Sequence, residues 1–210
     1  VRAKGFGLIG AALVIASLTG GCGEVARTGR SPVQIVITRL EAESGAGGGE
    51  LGGTLNSDVI TVVQRTIGGD QVDVPTVFSD QAEVVMRLVL RDPGIPGVEA
   101  APTGLNDVTI TRYRVVYRRA DGRNTPGIDV PHPFDSGLTF TISGTTDTTA
   151  TFELVRHTAK QEPPLVALRS NGVNLNTIAE VTFYGRDQAG NEVSVTGQIG
   201  IVFGNFGDPT

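Results

Sequence analysis

The chain has 210 residues, a formal charge of −5, one cysteine, three tyrosines and no tryptophan. An acidic protein repels nucleic acid at long range, which argues against such a partner, and so few rings disfavour sugar recognition by aromatic stacking. A single thiol cannot close an internal disulfide, so the fold must rest on its core even in an oxidising compartment.

Arg2 and Lys4 precede a mostly apolar run from Phe6 to Leu18. A spanning helix needs about 20 apolar residues. This run is shorter and has the basic start and length of a secretory h-region. Thr19, Gly20 and Gly21 are small enough to sit beside a signal-peptidase cut. Leu18-Thr19-Gly20-Gly21-Cys22 resembles the lipobox of bacterial lipoproteins, with Leu18 one place further from the cysteine than the usual aliphatic residue.

The resemblance implies that residues 1–21 are a signal peptide and that the mature chain starts at Cys22. The Cys22 thiol would carry a thioether-linked diacylglycerol with palmitate-type chains, anchoring the protein to a membrane of the bacterial cell envelope. Two or more acyl chains give a stable anchor where one does not. Gly23, where an Asp would favour inner-membrane retention in that family, leans toward the outer membrane. A plain secretory peptide cut near Gly21 and an uncleaved anchor are the alternatives. Loss of residues 1–21 removes Arg2 and Lys4 and shifts the charge from −5 to −7.

Residues 22–32, ending in Ser31-Pro32, read as a flexible tether. Beyond them, short runs of period 2 separated by Gly, Pro, Asn and Asp predict an all-β fold. Val33, Ile35 and Ile37 begin a strand. Residues 42–57, with six glycines between Gly45 and Gly53, predict a mobile loop. Val59–Val63 reads as a second strand, and Ala82, Val84, Met86, Leu88 and Leu90 form one face of a third.

Val108 and Ile110 are out of phase with Tyr113, Val115 and Tyr117, so a bulge is expected near Arg112. A turn at 120–123 and an irregular, proline-bearing loop over 124–137 follow. Leu138–Ile142, Phe152–Leu154 and a shorter run at Leu165–Leu168 come next. Val181 and Phe183 lead to a turn at Asp187–Asn191, and Val193–Phe203 closes the pattern with a bulge or bend at Gly197. Eight or nine strands predict a single antiparallel β-sandwich domain over 33–206, with 58–91 as an inserted or flanking pair. Phe183 to Val195 resembles the final hairpin of bacterial immunoglobulin-like domains, which implies an immunoglobulin-like sandwich.

Four groups of residues invite chemistry. Asp129, His132 and Asp135 have metal-ligand types within seven residues, but Pro131 and Pro133 stiffen the backbone against wrapping an ion. His157 would need a nucleophile such as Ser79 or Ser136 and an orienting acid, and no Gly-x-Ser-x-Gly elbow is present. Asp187, Asn191 and Glu192 have the oxygen ligands Ca²⁺ takes, without EF-hand spacing; Asp and Asn equally stabilise tight turns. Arg112, Arg114, Arg118 and Arg119 gather on one strand, either as an anion strip or as a solvated face paired with acids.

No catalytic residue, resident metal or cofactor is expected. The expectation is a lipid-anchored, non-enzymatic binding, adhesion or assembly module with an envelope protein partner. A hydrolase using His132 or His157, and a carrier of a small apolar ligand, are the rival readings.

Overall fold

The computed structural model describes residues 30–43, 50–92 and 94–206. Cys22, the predicted leader and positions 44–49 of the glycine-rich segment lie outside them. Thirteen strands occur among the described residues: β1 (Val33–Glu43), β2 (Leu51–Gly52), β3 (Thr54–Asp58), β4 (Thr61–Ile67), β5 (Asp70–Thr76), β6 (Asp80–Leu90), β7 (Gly94–Ile95), β8 (Val98–Glu99), β9 (Val108–Arg118), β10 (Phe134–Ile142), β11 (Thr148–Val155), β12 (Leu175–Asp187) and β13 (Glu192–Gly204). One sheet has the order β11-β6-β1-β2 and the other β10-β9-β12-β13-β3, while β4–β5 and β7–β8 are two-stranded hairpins. The fold is all-β, and its two main sheets share one core.

Alternation produces that core directly. Along β12, Leu175, Thr177, Ala179, Val181, Phe183, Gly185 and Asp187 are buried, while the residues between them face outward. Tyr113 and Phe152 approach at 5.1 Å between ring centroids, and Phe152 meets Phe183 edge-on at 5.2 Å. The space between the sheets is thus filled by rings in the edge-to-face arrangements that aromatic quadrupoles favour. Tyr117 is also buried and donates its hydroxyl to the Leu154 carbonyl at 2.8 Å.

The expected phase change in β9 is present. Tyr184 pairs with Arg112 and Gly185 with Ile110, so Thr111 is the extra residue of a bulge. Val108 and Ile110 therefore share the core with Tyr113, Val115 and Tyr117. Gly185 permits this: a Cβ there would lie 2.4 Å from the Thr109 carbonyl oxygen and 3.0 Å from the Ile110 Cα. Gly185→Ala should lose about 1–3 kcal/mol in urea unfolding, as overpacking against backbone does. Gly53→Ala, whose Cβ meets nothing within 4 Å, should stay within about 0.5 kcal/mol of the parent.

Several expectations are corrected. The segment 42–57 is not all loop, because β2 and β3 lie in it. Leu55 and Ser57 are buried, and β3 runs parallel to β13, so the sandwich is not wholly antiparallel. Six glycines, which carry no side chain to mark a face, masked that short apolar pattern. The strand expected at Val59–Val63 begins at Thr61. The 58–91 region is not one flanking pair: β4–β5 flanks, but β6 is a central strand between β1 and β11. The loop expected over 124–137 ends earlier, since Phe134 already pairs with Val115. Leu165–Arg169 is a 3-10 turn.

Gly197 is neither bulge nor bend. It pairs in register with Val181, and a Cβ there would sit 2.9 Å from the Ile37 and Leu40 methyl groups. Its role is to let β1 approach β13.

The strand directions separate two poles. At the proximal pole, where the chain leaves its N-terminal segment, Val33 pairs with Leu90 and Arg91 donates its backbone N–H to the Pro32 carbonyl. The 92–107 segment and the turn at 188–191 lie there too, because Val108 pairs with Asp187. At the distal pole are the β4–β5 hairpin, the 119–133 loop and the 156–174 segment.

Candidate functional site

The distal pole carries an open groove of about 510 Å³. Its apolar part is Leu168 and Leu175, nearly buried, with Ile128 and Val173 exposed above them. Its polar wall is Arg119, Asp121, Arg123, Asp129, Asn174 and Asn176.

Local chemistry holds this wall. Asp121 accepts from Arg119 Nη2 at 2.5 Å and from Arg123 Nη2 at 2.9 Å, with a further bond from the Arg123 backbone N–H at 3.1 Å. These bonds, that from the Arg119 side chain foremost, lower the Asp121 pKa to about 2. The Arg119 backbone N–H donates to Asn124 Oδ1 at 2.6 Å, closing the turn. Asp129 accepts from the Thr125 backbone N–H at 3.2 Å. Two arginines and two aspartates leave the wall formally neutral beside an apolar floor. Such a surface suits an apolar side chain with a hydrogen-bond acceptor nearby, because arginine is a donor only.

Beneath the pole lies a buried polar network that the sequence reading missed. Lys160 is 1% exposed, and its ammonium donates to Asp80 Oδ1 at 2.7 Å. Ser57 donates to Asp80 Oδ2 at 2.6 Å. Burial pushes the Asp80 carboxyl above its ordinary value, although Lys160 and Ser57 pull it the other way. The network ties β3 and β6 to the 3-10 turn at Ala159–Gln161, which leads into the groove's 156–174 wall. The one available signal was composition: Lys160 is one of two lysines in a chain with 17 Lys and Arg.

The sequence-predicted candidates are scattered. Asp129 is spent on its turn, and His132 is exposed with its ring against Gly127. Asp135 pairs with Arg112 and Arg114 on the outer face of the five-stranded sheet, at 3.4 and 2.6 Å. Among the described residues, no three His, Cys, Asp or Glu side chains are grouped to hold a metal ion. His157 is exposed, and Ser136 pairs across β10–β9 with Tyr113, whose hydroxyl donates to the Glu153 carbonyl at 2.9 Å. Arg118 pairs with Glu180, so the arginine strip is a paired, solvated face, while Arg119 belongs to the groove. Arg112 also stacks over Tyr184, with its guanidinium carbon 3.8 Å from the ring centre.

Asp187 and Asn191 make a turn. The Asp187 carboxylate accepts from the backbone N–H groups of Ala189 and Asn191, at 3.0 and 2.8 Å, and from the Asn191 amide at 2.8 Å. Glu192 instead pairs with Arg186 at 3.2 Å. Burial raises the Asp187 pKa, but these bonds and one from Ser31 outweigh it and hold the carboxyl below its ordinary 3.8. A carboxyl with a lowered folded pKa adds stability above its unfolded value and loses it as pH falls through the folded value. Thermal melts should therefore show an acid-side loss of stability beginning near pH 3.8 that is shallower in Asp187→Asn. At neutral pH, Asp187→Ala should cost about 1.5–3 kcal/mol. An unchanged acid limb in the Asn variant would discount the turn's contribution.

No family model and no curated protein matches the chain. One solved structure, described as the X-ray structure of Northeast Structural Genomics Consortium target SoR45, is similar over 81% of this chain and 86% of that one, at 9% identity and a TM-score of 0.34. A likeness that remote leaves both fold and function to be read from this chain's own residues.

Proposed function

We propose that the protein is a lipid-anchored envelope module that holds its distal groove away from the membrane to bind a partner. The supporting observation is polar opposition. The tether side of the chain, at Ser31 to Val33, and the groove between the 119–133 and 156–174 segments occupy opposite ends of the sandwich. A domain anchored at one end displays the other.

The partner's segment presents an apolar side chain to Ile128, Val173 and Leu168 and a hydrogen-bond acceptor to Arg119 and Arg123. Photocrosslinking residues placed at 128 and 173 in native envelopes test this. A discrete adduct is expected from both and none from Thr139 or Thr151, on outer sheet faces. Equal labelling at all four positions would reject the groove as the contact.

The anchor is tested separately. Cys22→Ala is expected to move the protein from the membrane fraction to the soluble one. Unchanged membrane retention would refute acylation at Cys22 as the anchor. The two rival chemistries lack support in this geometry: neither histidine ring is hydrogen-bonded to a Ser or Asp among the described residues, and aromatic rings occupy the inter-sheet space a carrier would need open.

A further inference from the structure

We propose that the segment 94–106 docks the proximal pole onto a zwitterionic lipid surface, with Ile95, Val98 and Leu105 entering the interfacial layer. The proposal rests on the acylated-anchor reading and names a second membrane contact beyond it. Ile95 and Val98 are each 68% exposed and Leu105 is 85% exposed, an uncommon cost for large aliphatic side chains in water. Ile95 and Val98 are direct partners across β7–β8, so their side chains project from the same face of that hairpin.

The position of the segment selects its occupant. It follows Leu90, which pairs with Val33, and Arg91, whose side chain donates to the Ser31 carbonyl at 3.0 Å. It returns at Val108, beside Asp187. These side chains thus sit at the pole the tether reaches. From Cys22 to Ser31 the chain spans at most about 30 Å at roughly 3.3–3.6 Å per residue, so an acylated Cys22 keeps this pole within reach of the bilayer.

Charge then selects the lipid. Residues 92–107 include Asp92, Glu99 and Asp107, with Arg91 just before them as the one adjoining cation. The segment's balance is negative, so anionic headgroups add no attraction and apolar insertion must drive the contact. The distal pole also exposes Ile67, Ile128 and Val173, but it is remote from the tether.

The chain's lone thiol makes a direct test possible. With Cys22 acylated, Val98→Cys introduces the one free thiol of the full-length protein, ready for an environment-sensitive fluorophore. Ile67→Cys, at the turn of the distal β4–β5 hairpin, is the reference. In phosphatidylcholine vesicles, the label at 98 should be several-fold more protected from aqueous iodide than the label at 67. Doxyl groups placed shallow in the lipid should quench it more strongly. Adding anionic lipid should weaken both effects.

Equal iodide access at 98 and 67, with the acyl mass present on the protein, would overturn the docking alone. A mass without acyl groups, or two labels per molecule, would overturn the anchor reading and the docking with it.

Discussion

Lys160→Ala is expected to lower the folding free energy by about 3–5 kcal/mol, the usual cost of removing one partner of a buried ion pair. The Lys160 ammonium is the close cation of Asp80, which sits in a site where burial already disfavours its charge. Without Lys160, Asp80 must ionise alone, take up a proton, or draw water into the core. Ser57 supplies one hydrogen bond and cannot neutralise the charge.

Asp80→Ala should be comparably damaging, because it strands the ammonium. The double variant Lys160→Met with Asp80→Leu should recover much of the loss, since apolar side chains of similar size commonly replace a buried pair at little net cost. Urea unfolding measures all three. A single Lys160→Ala loss under about 1 kcal/mol would mean that the pair is hydrated and contributes as a surface bridge does. Hydrogen exchange should localise the damage to the 156–174 segment, because the pair joins that segment to β6.

Phe183→Ala is the second substitution expected to have a large effect, at about 3–5 kcal/mol. The ring is fully buried in mid-strand and contacts rings on both sheets: Phe152 of β11 at 5.2 Å, and Tyr113 of β9 at 6.1 Å. Its loss removes apolar burial and leaves a cavity that flanking strands cannot close without breaking register, and it also removes edge-to-face ring pairing worth about 0.5–1.5 kcal/mol. Phe140, partly buried near the end of β10, is the comparison and should cost less when truncated. Guanidinium unfolding monitored by far-UV circular dichroism decides this. A Phe183→Ala midpoint close to the parent's would contradict the packing described between the sheets.

The readable parts of the fold were those where side-chain period alone carries the information. Alternation from Tyr113 to Tyr117 separated buried rings from exposed arginines, and the break in phase with Ile110 located a bulge before any partner strand was known. The Asp187–Asn191 turn was legible because both side chains satisfy its backbone locally. Where the signal was short or non-local, reading failed. β3 is five residues long beside a glycine-rich stretch, and its parallel pairing with β13 joins residues more than 140 positions apart. Gly197 looked like a defect in its own strand because Ile37 and Leu40, the groups it accommodates, lie on another.

The candidate site divides the same way. Asp121 with Arg119 and Arg123 is a local device, though the sequence reading grouped Arg119 with the other arginines of its strand. The groove itself needs residues 119–129 beside 164–176, and no periodicity in either segment announces the other. Ser57, Asp80 and Lys160 are an extreme case, separated by 23 and 80 positions and joined at a buried point.

By itself, the amino-acid sequence determined that this chain is β-structured, acidic and short of rings, and where its strands alternate, because those properties depend on neighbours two residues apart. Which strands pair, which pole carries the groove, and which charges are buried together were decided in three dimensions. Burial and electrostatic pairing act through space, at distances along the chain that local pattern does not encode.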